Sequence, residues 1–185
     1  MIDESSPEAE HGPVTIEQLI DRVKDFTPTP EAYSPGVAFE LEEGLKPDVL
    51  DAAGVFANVK PAAIVSLAWG GETKGLIDSF REAAPRYEVV TLETQDGGES
   101  GRGSLIFSRK PELAARIKEL VTAKVQQQID PKEYERELGL ALGYPKAAVE
   151  EFVAVREAKG IYHLIRWERT PQGQEHLRKH PPKDK

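Results

Sequence analysis

The sequence predicts an α+β domain: a mainly antiparallel sheet in ferredoxin-like (split βαβ) order, with a three-helix segment before the last strand and further N-terminal helices. Three observations lead there. Residues 62–69 (AAIVSLAW) form a near-continuous apolar run, the pattern of a strand buried on both faces. Residues 87–94 and 104–109 are rich in β-branched and aromatic side chains and flank a glycine-rich stretch. Three amphipathic helical stretches then follow one another, and residues 161–167 (IYHLIRW) read as a last strand. Chain direction ties these together. If the first strand runs up, the second runs up and the third down. Three short-linked helices return the chain to the top, so the last strand inserts antiparallel beside the first.

Each element has a local signal. Residues 1–13 are polar and acidic and are expected to be a disordered tail, as are residues 181–185; one domain is expected over 14–180. Thr15 and Gln18 match a capping box, and Ile16, Leu19, Ile20, Val23 and Phe26 follow at helical spacing until Pro28 and Pro30. Residues 37–42 alternate like an edge strand, and residues 47–58 read as a short helix that, with the first, covers a second face of the sheet. Gly70-Gly71 turns the chain into a helix burying Leu76, Ile77 and Phe80. Pro111 opens the next helix, which runs to about residue 127, and Asp130-Pro131-Lys132-Glu133 caps another. Gly143 ends that helix, Pro145 holds Tyr144 extended and starts a third, and Gly160 stops it. Thr170 and Pro171 open a weak terminal helix.

Composition sets the class. With 39% apolar and 30% charged residues, the chain is an ordinary globular protein. No apolar run approaches the roughly 20 residues of a membrane span. The acidic start lacks the apolar core of a signal peptide, so a cytoplasmic location is expected. The absence of cysteine rules out disulfides, thiolate metal sites and a cysteine nucleophile. Net charge is −9 over residues 1–50, −3 over 51–158 and +4 over 159–185. Only the tail is basic, which argues against nucleic acid as a partner.

The strand-to-helix turn is the leading site candidate. Gly70 and Gly71 would let an anion approach the free amides of a helix start, with Thr73 adding a hydroxyl, Lys74 a charge and Trp69 a flanking ring. The turn fits neither a phosphate-binding loop with Gly-Lys-Ser/Thr nor a dinucleotide fingerprint, and Glu72 would oppose an anion. The glycine-rich stretch 95–103 carries Arg102, which could close over an anionic ligand or partner; by topology both loops share one end of the sheet. Tyr144, at the helix corner, is a wedge between two helices or a partner contact. The four histidines include no His-Glu-x-x-His, and no catalytic constellation or metal site is read.

Residues 137–152 (ELGLALGYPKAAVEEF) and 56–62 (FANVKPA) also carry a resemblance. The chain resembles an uncharacterised, mostly clostridial family of small bacterial proteins, a domain of unknown function with a Leu-Gly-Tyr-Pro helix corner. Glu137, Leu138, Gly139, Leu142, Gly143, Tyr144, Pro145, Val149 and Phe152 fit its pattern, as does Lys60-Pro61-Ala62. Arg136 and Ala148 stand where the family has His and Asp, so a metal role in relatives would not transfer. The likeness spans about residues 50–180 and implies a fold; it implies no activity or cofactor.

These readings favour a non-catalytic binding or adaptor protein that takes a small anionic ligand or a protein partner at the glycine-rich end of the sheet. Two alternatives stand beside it. One is an enzyme whose acid–base groups assemble only in three dimensions, recognisable by a pocket holding two titratable groups of shifted pKa. The other is an oligomer built through an edge at residues 37–41.

Overall fold

A computed structural model describes residues 14–29, 31–39, 46–95 and 103–180. Helix α1 (Ile16–Val23) begins at the expected capping box: the Gln18 amide donates to the Thr15 hydroxyl at 3.3 Å, and the Thr15 amide to Gln18 Oε1 at 2.8 Å. Its Ile16, Leu19 and Val23 are buried. Where an edge strand was expected, Pro35–Ala38 forms a single helical turn, α2, and residues 40–42 lie outside the described part. The reason is local. Pro35 presets a helical φ, and the Gly36 amide is pinned by the Asp51 carboxylate at 3.0 Å. Helix α3 (Pro47–Phe56) supplies Asp51 and is the most buried helix, with every residue from Val49 except Asp51 inside the core.

Strands β1 (Ala62–Ser66), β2 (Val90–Thr94) and β3 (Ser104–Ser108) form an antiparallel sheet in the order β1-β3-β2. Ser104 faces Ser66 on one side and Thr94 on the other, so β1 and β2 run parallel with β3 between them. Helix α4 (Gly71–Ala83) and a 3₁₀ turn (Ala84–Tyr87) make the crossover. The crossover thus joins two parallel strands with β3 between them, in a mixed α and antiparallel-β architecture.

The fourth strand is not formed. After β3 the chain is helical throughout: α5 (Pro111–Val125), α6 (Pro131–Ala141), α7 (Lys146–Ala158), α8 (Ile161–Glu168) and α9 (Pro171–Lys179). The expected strand at residues 161–167 is α8, so the ferredoxin-like order stops at three strands among the described residues, and nothing inserts beside β1 from this segment. Tertiary partners favour the helix. Gly160, at φ +67, ends α7 and starts α8 directly. The Tyr162 hydroxyl then reaches Glu135, Arg166 pairs bidentately with Asp130 at 2.8 and 3.0 Å, and Arg169 donates to the Ile129 carbonyl.

Alternation along the strands divides the core in two. Ala63, Val65, Leu105 and Phe107 face α1, α3 and α4; Ala62 and Ile106 face α5 and α6. The N-terminal helices therefore cover the second face. A cluster of Phe56, Phe80, Phe107 and Tyr87 fills its centre, with rings 4.8–6.2 Å apart.

Candidate functional site

The register places the β1–α4 connection and the ends of the β2–β3 loop at the same edge of the sheet. The Leu67 amide donates to the Gly103 carbonyl at 3.0 Å. Gly103 has φ +71, and a Cβ there would overlap the Thr94 carbonyl, so glycine is required. Trp69 is half-buried, with its indole N–H on Asp48 Oδ2 at 3.0 Å and the Lys46 ammonium 5.0 Å from its ring centroid. Gly70 caps α4 without a side-chain bond, Gly71 follows at φ +59, and open space surrounds both. Thr73 is buried, whereas Lys74 lies on the exposed face in an ion pair with Asp78. Arg102 lies outside the described residues. The structure thus groups Trp69, Gly70, Gly71, Thr73 and Lys74 on one connection and sets Tyr144 elsewhere.

Tyr144 stands in a cleft of about 640 Å³ between α2–α3 on one side and α6–α7 on the other. Its position follows from the helix corner. Gly143 adopts φ +82 against the Pro61 ring, the Tyr144 amide closes the α6 end on the Gly139 carbonyl at 3.0 Å, and Pro145 caps α7. The Tyr144 ring meets Tyr33 edge-on, with centroids 5.2 Å apart, and its hydroxyl donates to Asp51 Oδ2 at 3.3 Å. Beneath it lies Lys60, only 6% exposed. The Lys60 ammonium donates to the Leu142 carbonyl at 2.7 Å, sits 4.1 Å from the Tyr144 ring centroid and 4.0 Å from Asp51 Oδ2. Residues 56–62, around Lys60, and residues 137–152, around Tyr144, meet in this contact.

The protonation of this base is set by burial. Loss of water pulls the Lys60 ammonium down to about 8, against the attraction of Asp51. Burial, reinforced by Asp51, pushes the Tyr144 phenol well above its ordinary value. Two titratable groups of opposite shift therefore share one carboxylate. Tyr144 stays a hydrogen-bond donor, and Lys60 is poised to release a proton in the neutral-to-alkaline range, though its nitrogen is covered by the cleft wall.

The remaining walls are largely aromatic and aliphatic, with Tyr134, Leu138, Val149 and Phe152 from α6–α7 facing Tyr33 and Val37, and they also carry Asp48, Glu135, Glu151 and Lys124. Val37 and Phe152 are 47% and 50% exposed, large apolar side chains on opposite lips. A second groove of about 670 Å³, between the start of α1 and α4, is more polar and is crossed by the exposed Glu17–Arg86 pair; it holds no buried titratable group. Among the described residues no three His, Cys, Asp or Glu side chains are placed to hold a metal ion, and no helix is long and apolar enough to cross a membrane.

Sequence reasoning reached Tyr144 but not Tyr33, Asp48, Asp51 or Lys60. Asp48 and Asp51 look like solvated helix carboxylates in sequence. Lys60 carried one signal, a lone lysine set directly before a buried strand. Comparison with known protein families, curated proteins and solved structures finds no match to this chain.

Proposed function

We propose that the chain is a binding protein whose site is the cleft between α2–α3 and α6–α7. One observation carries this reading: segments distant in sequence, residues 33–51 and 134–152, converge on a concave space of ligand size. Aromatic and aliphatic side chains line it together with a few charged ones, over a fixed polar cluster, the usual make-up of a small-molecule site. The resemblance to the clostridial family fits, since one matched stretch lines the cleft and Lys60 of the other packs against its Tyr144. A fragment screen by two-dimensional NMR on the full chain tests the reading. Hits should shift resonances of Tyr33, Leu138 and Phe152, and Phe152→Glu should abolish those shifts. Hits that instead map to the groove at α1 and α4 would overturn it.

A second reading keeps a small anionic ligand or protein partner at the glycine-rich end of the sheet. It is favoured by the open start of α4 at Gly70-Gly71, where the cap residue makes no side-chain hydrogen bond among the described residues. Thermal-shift screening of phosphates, nucleotides and flavins decides it, since a shift that survives Lys74→Ala unchanged gives Lys74 no part. The catalytic alternative rests on the Lys60–Asp51–Tyr144 base. It requires a ligand whose turnover follows the titration of Lys60 and stops in Lys60→Met.

A further inference from the structure

The cleft has a charge bias that identifies the kind of ligand it suits; this inference rests on the binding reading above. Among the described residues four carboxylates line it: Asp48, Asp51, Glu135 and Glu151. Two are answered from within. Asp51 has the Lys60 ammonium at 4.0 Å and accepts from Gly36 and Tyr144; Glu135 has Arg156 at 3.0 Å and accepts from Tyr162. Asp48 differs. Both of its hydrogen bonds fall on Oδ2, from the Trp69 indole at 3.0 Å and the Ser66 amide at 3.5 Å, and both donors are neutral. Its other oxygen, Oδ1, accepts from no described residue. The first turn of α3 stabilises the negative charge without supplying a counter-ion. Lys46 lies over the Trp69 ring and forms no ion pair with Asp48 among the described residues. Glu151, exposed on the α7 lip, likewise has no ion pair among the described residues. Among the described residues the cation in the lining is Lys124, placed over the Tyr134 ring, 4.9 Å from its centroid.

Asp48 and Asp51 are three residues apart on α3 and so share a face. At this end the cleft offers an unanswered carboxylate oxygen; beyond it lie Leu138, Val149 and Phe152. We propose that the cleft binds a small organic cation, with a protonated amine seated on Asp48 Oδ1 and an apolar body covering Leu138, Val149 and Phe152. The volume suits a small molecule more than a peptide, since drug-sized sites run from about 300 to 1,000 Å³. An anionic ligand of the same shape would meet Asp48 and Glu151 and be rejected.

Three near-isosteric probes test this by isothermal titration of the full chain: 4-phenylbutylamine, 4-phenylbutanol and 4-phenylbutyrate. The amine should bind at least about tenfold more tightly than the alcohol, as an ammonium brings a full opposite charge to the carboxylate where a hydroxyl brings only a dipole, and the acid should bind most weakly. Asp48→Asn should bring the amine down to the alcohol's affinity and leave the alcohol unchanged. Equal binding of amine and alcohol to the wild type would overturn the cation inference while leaving the cleft as a site. That comparison needs no variant, so it stands even if Asp48→Asn fails to fold. If none of the three binds, the cleft reading falls and the inference with it. A basic peptide that binds at the cleft when the amine does not would replace the small-molecule occupant and likewise overturn the proposal.

Discussion

Burying an ammonium is costly unless its charge and its N–H groups are answered. Lys60 is answered by a helix-end carbonyl, a carboxylate and an aromatic face. The compensation is incomplete, because its pKa falls to about 8 from 10.5. Between those values the unfolded chain holds a proton that the folded chain has shed, so stability rises with pH, by on the order of 3 kcal/mol if the window is crossed in full. Tyr144 acts in the opposite sense. Its phenol, raised by burial and by Asp51, keeps a proton above pH 10 that the unfolded chain gives up, and stability falls there. Urea unfolding of the wild type should therefore show stability increasing from pH 8 to 10 relative to Lys60→Met, while both proteins lose stability above pH 10 as the Tyr144 phenol of the unfolded chain ionises. A difference between the two that stays flat across this range would mean that Lys60 is solvated. None of this was visible in the residues themselves, because a lysine's pKa depends on what covers it.

The corner between α6 and α7 shows what local sequence does specify. Gly143, Tyr144 and Pro145 each have one backbone task in the sequence reading; Gly143 is the left-handed residue that ends α6, and Pro145 stands just before α7 as its cap instead of in its first turn. Segment 161–167 shows the limit. Its Ile, Tyr and Trp content suits a strand, yet Ile161, Tyr162 and Ile165 are also spaced for one face of a helix. Periodicity cannot separate the two over seven residues; Asp130, Glu135 and the Ile129 carbonyl, thirty residues away, do. The two left-handed glycines that bound α7 should respond differently to substitution. At Gly160 a Cβ meets open space, so Gly160→Ala should cost only the backbone strain, about 1 kcal/mol. At Gly143 the same strain is joined by overlap with the Pro61 ring, whose Cδ would lie 2.5 Å from the new carbon. Gly143→Ala should cost about 3 kcal/mol and loosen the cleft. Equal losses in chemical denaturation would show that the corner does not press on Pro61.

For the molecule as a whole, the three strands and the β1–β2–β3 connectivity were legible because each strand carries its own burial signal and the loops carry glycine. The cleft was not, since Asp51 and Tyr144 are separated by 93 residues and neither neighbourhood hints at the other. The same architecture predicts a gradient of stability. Strand β3 is hydrogen-bonded on both sides and all five of its residues are buried. Helices α8 and α9, by contrast, have Tyr162 as their one fully buried apolar side chain among the described residues; α8 is tied to α6 by half-exposed pairs such as Arg166–Asp130, and α9 packs on α8. Such pairs contribute little, about 0–1 kcal/mol each. Local opening of α8–α9 should therefore occur without disturbing the sheet. In native-state hydrogen exchange the Leu105, Ile106 and Phe107 amides should be the slowest and should follow global unfolding. Amides of α8 and α9 should exchange at least about a hundredfold faster, as expected for an opening some 3 kcal/mol easier than global unfolding. Because Tyr162 also holds Glu135, which lines the cleft, opening of α8 releases one carboxylate of the cleft wall. A ligand that grips the cleft should slow exchange in α8 as well as in α6. If α8 proves as protected as β3, the C-terminal helices belong to the cooperative core and this coupling does not exist.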